Sequence, residues 1–365
     1  MRQMVVNFFS SGRWIIFLVA AITVGLVVKK IVLPLIHGEV RPLVGDGVHV
    51  ASYQFPLKPC LVNRKLLIAG GNYKDALAAL NHPYTIRPPQ VSKINAGLAD
   101  SGGYIQGPDR VIGVVIHGQA RAYPIPIMNW HAVVNDRLGG EPIAVYWDAF
   151  SSCAMVLSRK TGSTTQRFGY SGLVYNGNLL IYNRERTNAK ESLWCPMLCR
   201  AITGPAAAKK SRLKPLPFAI VTWHKWKSMF PKTTMIEGVP RLFPAYRKDV
   251  YHSYDHDPTD FHYPVTPAWR QSKPPAKAQI IILRIRHHWY PLPIAKLASI
   301  KNAAGVVHLR VGGENVVIQC WQDLALQTAS VIAPANVPTA YSFLYVWYGQ
   351  HPSEFNTPLW RALAR

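Results

Sequence analysis

Arg137-Leu-Gly-Gly-Glu-Pro-Ile-Ala-Val145 returns later in the chain as Arg310-Val-Gly-Gly-Glu-Asn-Val-Val-Ile318. In each copy the Gly-Gly pair supplies the positive φ of a tight turn, and the apolar run after the glutamate is a strand. Both copies have matching upstream segments in the same order. The first has Arg110-Val-Ile-Gly-Val-Val-Ile116 and then Ala122-Tyr-Pro-Ile-Pro-Ile127. The second has Ala278-Gln-Ile-Ile-Ile-Leu283 and then Trp289-Tyr-Pro-Leu-Pro-Ile294. Two copies are too few for a solenoid, so the pattern predicts a duplicated β unit, 110–148 and 278–323, whose halves pack together. The 17 tyrosines, 11 tryptophans and 29 prolines point the same way. The expected fold class is α+β, predominantly β, with a few short helices.

Outward from the repeat, the chain divides by composition. Trp14 to Val28 is uncharged and apolar, Lys29-Lys30 interrupts, and Ile31 to Ile36 resumes. As a helix the first run spans only about 22 Å, whereas 14–36 spans about 35 Å, enough to cross a bilayer. No small-x-small cleavage site follows, which favours an uncleaved transmembrane helix over a signal peptide. The expected organisation is a short cytoplasmic N-terminus (1–13), the anchor (14–36), and a linker plus the N-terminal part of the extracytoplasmic domain (37–108). The main β-rich domain follows (109–365). This places a single-pass protein in the cell membrane with its body on the periplasmic side. Within the body, Tyr73 to Leu80 is a short helix candidate. Thr222 should cap a helix carrying Trp223, Trp226 and Phe230 on one face, and Tyr341 to Tyr348 reads as an aromatic strand.

The charge narrows the partners. Lys and Arg number 41 against 18 Asp and Glu, a formal +23. The cations are spread along the chain without a Lys/Arg block, and the anchor removes the body from the cytosol, so nucleic acid is not expected. An anionic membrane surface or an acidic protein partner, such as a respiratory one, suits the surplus better. An acidic medium is a further reading, since few carboxylates leave little stability to lose on acidification.

Five cysteines are too few for a disulfide scaffold. Cys195-Pro-Met-Leu-Cys199 is the stretch that suggests reactive chemistry. If it turns helical, the two thiols share a face, Pro196 suits the first helical position, and Cys195 near the cap acquires a lowered pKa. Metal chelation, thiol redox exchange and inert packing are the three roles open to the pair. No Gly-x-Ser-x-Gly, P-loop, dinucleotide fingerprint or His-Glu-x-x-His is present. Asp136 and Asp148 are the carboxylates to check for acid–base work. His252, His256 and His262 fall in a turn-rich stretch without metal-ligand spacing.

Several motifs in order carry a family resemblance: Lys74 to Pro83, Asp109-Arg-Val-Ile-Gly-Val114, Asn129-Trp-His-Ala-Val-Val-Asn-Asp136, Ser171 to Asn176, Leu179 to Arg184 and Glu191-Ser-Leu-Trp194. Over roughly 66–357 the chain resembles the family catalogued as domain of unknown function 3179. The resemblance implies a prokaryotic, exported or membrane-anchored protein and carries no activity with it. One departure stands out. Where the family has a Cys-Pro-Leu-Cys-Gly-Ser-like motif, this chain reads Trp147-Asp-Ala-Phe-Ser-Ser-Cys-Ala154, with Asp148 and Ser151 at the two cysteine places. The pair at Cys195 and Cys199 then reads either as a relocated pair lining the same cavity or as coincidence. His131, in the densest motif, is a candidate ligand or acid–base group. With Cys195 and Cys199 it would make a soft set suited to copper, or to zinc as second choice, which Cys153 and Asp148 could complete. The expected function is metal binding, copper preferred, or thiol redox. The alternatives are an enzyme using His131 with Asp136, or a noncatalytic basic subunit.

Overall fold

The computed structural model describes residues 43–364 apart from 272 and 324–327. The anchor expected at 14–36 lies outside the described residues. The two repeat stretches adopt the same elements in the same order: hairpin, helix, hairpin. In the first these are Arg110–Ile116 with Gln119–Pro124, then the helix Ile125–His131, then Val133–Leu138 with Glu141–Asp148. In the second they are Gln279–Ile285 with His288–Pro293, the helix Ile294–Ile300, and Val306–Val311 with Glu314–Asp323. The Gly-Gly turns have near-identical backbones, Gly139 and Gly140 at φ +56° and +81°, Gly312 and Gly313 at +56° and +85°. The Tyr-Pro match is offset by two residues from the structural one. Pro124 and Pro293, not the tyrosines, occupy equivalent places as helix N-caps. An offset of two preserves the strand face, so the sequence match still ran in phase.

The correspondence extends past 148 and 323. Each copy continues into a strand beside its own first hairpin, Ala219–Thr222 beside Arg110–Ile116 and Thr339–Phe343 beside Gln279–Ile285. A helix follows each strand, Trp223–Met229 and Leu344–Gln350. The first amides of both helices are satisfied in the same way. Trp223 N and His224 N donate to the carbonyls of Asp109 and Gly107, and Leu344 N and Tyr345 N to those of Ala278 and Ala276. These donors would otherwise be orphaned, so the bonds fix where each helix starts. The expected helix at 223 is present, with Thr222 Oγ1 accepting from Lys225 N at 3.3 Å. The expected strand Tyr341–Tyr348 is corrected: it ends at Phe343 and turns helical, because the carbonyls of 276 and 278 wait for those amides.

The copies place their hairpins reciprocally. An eight-stranded sheet runs in the order 306–311, 314–323, 328–332, 219–222, 110–116, 119–124, 234–236, 85–86. A seven-stranded sheet runs 288–293, 279–285, 339–343, 153–158, 141–148, 133–138, 80–81. Each sheet therefore holds the first hairpin of one copy and the second hairpin of the other. The seven-stranded sheet is apolar on both faces. Ile143, Val145, Trp147, Ala154, Val156, Ile281 and Leu283 join the core shared with the eight-stranded sheet. Their alternates Ala144, Tyr146, Cys153, Met155, Leu157, Ile280 and Ile282 join a second core. That period of two is what a strand buried on both sides requires.

The second core is closed by an insertion in the first copy, between Cys153–Ser158 and Ala219–Thr222. It supplies four strands of a five-stranded sheet, ordered 67–69, 168–175, 178–183, 193–195, 200–201. Phe168, Leu180, Tyr182 and Trp194 face the seven-stranded sheet across this core. The described residues from Gly45 onward form one unit, predominantly β with short helices. No helix among them is long and apolar enough to cross a membrane. The helix expected at Tyr73–Leu80 is not formed. Asp75 takes a left-handed φ of +61°, and its carboxylate accepts from Tyr182 Oη (2.7 Å) and Arg184 Nη2 (2.5 Å) of the insertion. A long-range anchor thus overrides the local helical pattern.

Candidate functional site

The turn between Glu141–Asp148 and Cys153–Ser158 sits where the two cores and the insertion meet. Asp148, the last residue of its strand, is 4% exposed. Its Oδ2 accepts from Ser151 Oγ at 2.6 Å, from Leu179 N at 3.0 Å and from Asn178 Nδ2 at 3.3 Å, and Oδ1 accepts from Phe150 N at 3.2 Å. Asn178 Nδ2 also reaches Tyr146 Oη (2.9 Å) and Ser151 Oγ (3.2 Å), so the insertion is bolted to the turn at the carboxyl itself. Burial raises the Asp148 pKa and outweighs the lowering by these donors.

Asp148 borders a cavity of about 60 Å³ walled by Trp147, Phe150, Tyr170, Tyr251, Tyr263 and Asn129. The three tyrosines come from the insertion and from 251–263, far from Asp148 in sequence. Burial raises their pKa values, that of Tyr251 to about 12, with the Asp148 charge adding to the effect. They therefore stay protonated as hydroxyl donors. Ala132 and Ser152, both at the edge of this region, hold φ values of +55° and +47°. Non-glycine residues in that region carry strain, which is common around working sites. Asn129, Trp147, Ala149 and Tyr251 also line a wider cleft of about 480 Å³. Arg110 and Gln279, the equivalent first strand residues of the two copies, both line that cleft, so it lies where the copies face each other. Its mouth is of mixed charge, with Arg247 Nη1 on Asp109 at 2.6 Å and with Lys248, Lys277, Asp249 and Asp255 around it.

The other residues singled out in the sequence are placed differently. His131 is buried with both ring nitrogens engaged, Nδ1 with the Ala78 carbonyl at 2.7 Å and Nε2 with Tyr246 Oη at 2.8 Å. Burial lowers its pKa. Asp136 is paired with Arg121 Nη1 at 2.6 Å and accepts from Tyr123 Oη at 2.8 Å. These contacts tie the two hairpins of the first copy together. In the Asn-Trp-His motif it is Asn129 that reaches the cavity wall, and its Oδ1 accepts from Trp147 Nε1 at 2.7 Å. His252 and His256 lie on a short exposed helix, and His262 stacks on Phe150 with ring centres 3.7 Å apart.

The helical reading of Cys195–Cys199 is corrected. Cys195 ends a strand that pairs with Arg200–Ala201, and 196–199 form a turn in which Cys199 takes φ +50°. Cys199 N donates to the Pro196 carbonyl at 2.9 Å, closing that turn. No helix cap is present to stabilise a thiolate. Burial instead pushes both thiols up to about 12, more than the nearby arginines lower them. The Cys195 thiol donates to Gln350 Oε1 at 3.2 Å. Cys153, Cys195 and Cys199 share the second core, and Cys153 lies cross-strand from Asp148. The structure thus groups three of the cysteines and leaves His131 in other company. Among the described residues no group of three or more His, Cys, Asp or Glu side chains is disposed to hold a metal ion.

A sheet trilayer with a buried carboxyl at the turn joining two of its central strands defines a β-rich α+β protein with a polar site beside an internal cavity. Residues 81–351 match the model of a family described as Protein of unknown function (DUF3179), and the chain belongs to that family. No curated protein and no solved structure matches it. The resemblance marks Asp148 and Ser151 as the places of a cysteine pair, and these two residues are hydrogen-bonded at the edge of the cavity. Asn178, Tyr170, Tyr251 and Tyr263 escaped the sequence reading. Asn178 had a signal, because it follows Gly177 in a hairpin turn between two of the resemblance motifs.

Proposed function

We propose that this protein is a membrane-anchored, extracytoplasmic protein that binds a small polar ligand in the Asp148 cavity and acts on it by proton transfer. The anchor is the apolar stretch 14–36. The body is read as a duplicated β unit with an insertion in its first half. One observation carries the reading. Of His131, Asp136, Asp148, Cys153, Cys195 and Cys199, it is Asp148 that lines the cavity, with a pKa raised by burial. Burial that raises a carboxyl's pKa beside a cavity is how a general acid or base is tuned. The Tyr251 hydroxyl and the Asn129 amide supply donors that orient a ligand, and the aromatic rings keep bulk water from the carboxyl.

The second reading, metal binding with copper preferred or thiol exchange, keeps the grouping of Cys153, Cys195 and Cys199 in its favour. One set of measurements separates the two. The full chain is purified without chelators, analysed for metals, and screened by thermal shift against sugars, organic acids and amines. The cavity reading expects a ligand that raises Tm by a few degrees at about a hundredfold excess over Kd. The shift should survive Cys195→Ser and vanish in Asp148→Asn. A ligand whose shift persists in Asp148→Asn counts against the reading. Stoichiometric copper that is lost in Cys195→Ser or Cys199→Ser would put the thiol centre in its place.

A further inference from the structure

The wider cleft beside the Asp148 cavity holds one charged group that the fold leaves unanswered. Arg110 opens the first strand of the first copy and lines this cleft of about 480 Å³. Among the described residues its guanidinium has no ion-pair or hydrogen-bond partner. The residue is half-buried, yet its nitrogens are not sealed from solvent. The charges that bear on it are the carboxylates of Asp255 and Asp249, both walls of the same cleft. A cleft-lining guanidinium with open nitrogens and no protein acceptor faces the cleft. Burial lowers its pKa despite the two acids, as expected of a cation drawn from water without a close partner.

The surroundings decide which ligand answers it. Lysines and arginines of the lining outnumber its carboxylates by four to three. Arg247 is matched by Asp109 at 2.6 Å, and Lys277 Nζ donates to the carbonyls of Tyr254 at 2.6 Å and Asp257 at 2.8 Å. A cationic ligand would meet the surplus with the wrong sign. A phosphate dianion would bring more charge than one guanidinium answers, with Asp249 and Asp255 close by. A single carboxylate fits, because its two oxygens match the guanidinium fork. Ile125, Pro126, Trp147 and Phe343 add apolar lining that suits a carbon skeleton. Asn129 and Tyr251 line both the cleft and the Asp148 cavity, so the two spaces share a wall.

We propose that this cleft binds an organic acid through one carboxylate, gripped by Arg110, and directs the rest of the molecule toward Asp148. The grip stands on Arg110 alone, whereas the direction toward Asp148 rests on the function proposed above.

The test uses the full chain in detergent and three probes on one skeleton: 3-phenylpropionate, 3-phenylpropionamide and 3-phenylpropylamine. Calorimetric titration gives a Kd for each. The wild type should bind the acid roughly tenfold or more tighter than the amide or the amine, as a charge-assisted bidentate pair implies. Arg110→Gln should bring the acid down to the level of the amide. Lys232→Gln removes the same charge from an exposed site outside the cleft and should leave the preference intact. Arg110→Lys keeps the charge and loses the fork, so it should retain only part of the preference, and it serves where the Gln variant does not fold. Asp148→Asn separates the two claims, since it should weaken acid and amide by the same factor. An acid that binds Asp148→Asn as well as wild type, while Arg110→Gln still loses the preference, keeps the carboxylate grip and overturns the direction toward Asp148. A wild type that fails to bind the acid, or binds it no better than the amide, overturns the grip. So does a preference that survives Arg110→Gln, is unchanged in Arg110→Lys, or is lost equally in Lys232→Gln.

Discussion

The second hairpins of the two copies have the same turn and the same length of strand before it, yet opposite surroundings. In the first copy Ala144 and Tyr146 point into the second core and are fully buried. Their equivalents Val317 and Gln319 are exposed, Val317 by 46%. Asp148, held by donors on both oxygens, corresponds to Trp321, whose ring carries the Lys225 ammonium at 4.1 Å. The difference comes from the insertion, which covers one copy and has no counterpart in the other. Covering a sheet that would otherwise have one wet face turns its strand end into an interior. A carboxyl at that end then becomes a buried acid rather than a surface one. In this molecule the site is therefore a product of the asymmetry between the copies, not of the repeat itself.

The largest expected contrast is at Tyr146 and Gln319. Tyr146 Oη donates to the Leu179 carbonyl at 2.8 Å and accepts from Asn178, so Tyr146→Ala opens a cavity and strands two polar groups. A loss of about 3–5 kcal/mol is expected from the cavity term. Gln319→Ala should stay within about 0.5 kcal/mol. Urea unfolding of the two variants measures both values. Similar losses would break the comparison, because they would mean that the insertion does not bury the first copy more deeply than the second.

What was legible in the sequence follows the same division. The repeat was visible because Gly-Gly turns and alternating apolar strands are local signals, and the Thr222 cap lies next to the helix it starts. The misreadings fell where distant chain decides. Tyr73–Leu80 is bent by the anchoring of Asp75 to Tyr182 and Arg184, and Tyr341–Tyr348 changes conformation at the carbonyls of Ala276 and Ala278. Cys195–Cys199 looked helical through its Pro and its spacing, but Trp194 pairs with Ala201 and makes the stretch a hairpin. At the site, Asp148 was legible as a departure from the family pattern. Its burial was not, because Asn178, Tyr170, Tyr251 and Tyr263 come from segments whose approach no local pattern encodes.

Titration sharpens the comparison at the next scale. The ordinary pKa of Asp148 is 3.8 and the folded value is raised by burial. Between the two, the folded chain holds a proton that the unfolded chain has released, so stability falls as pH rises through that window. Asp148→Asn lacks the titration while its Oδ1 can still accept from Ser151, Asn178 and Leu179. The Tm of the variant relative to wild type should therefore climb as pH is raised from 4, then level off above the folded pKa. Thermal unfolding in a pH series gives the curve. A difference that is flat across the series would show that Asp148 titrates as a surface acid and that the insertion does not enclose it.

The smallest expected effect concerns the two glutamates of the Gly-Gly-Glu turns, where both copies reach solvent and should converge. Glu141 accepts from Ser158 Oγ at 2.5 Å and pairs with Lys160 at 2.7 Å, its side chain 21% exposed. Glu314 pairs with Arg286 at the same 2.7 Å but is 51% exposed, and its partner 71%. Burial works to raise the Glu141 pKa, yet the bonds from Lys160 and Ser158 outweigh it and the net shift is downward. Glu141→Gln should therefore cost a few tenths of a kcal/mol at neutral pH, in the range of about 0–1 kcal/mol for exposed pairs. That cost should disappear as pH falls below 4.5 and through the lowered folded value, since protonation removes the same interaction from the wild type. Glu314→Gln should leave Tm unchanged within error, because an equally short pair on a wetter surface gains little from its charge. Added salt should shrink the Glu141 effect toward the Glu314 one. A Glu314→Gln loss equal to that of Glu141→Gln at low salt would show that exposure does not separate the two turns. The contrast between the copies would then be confined to the strands beneath the insertion.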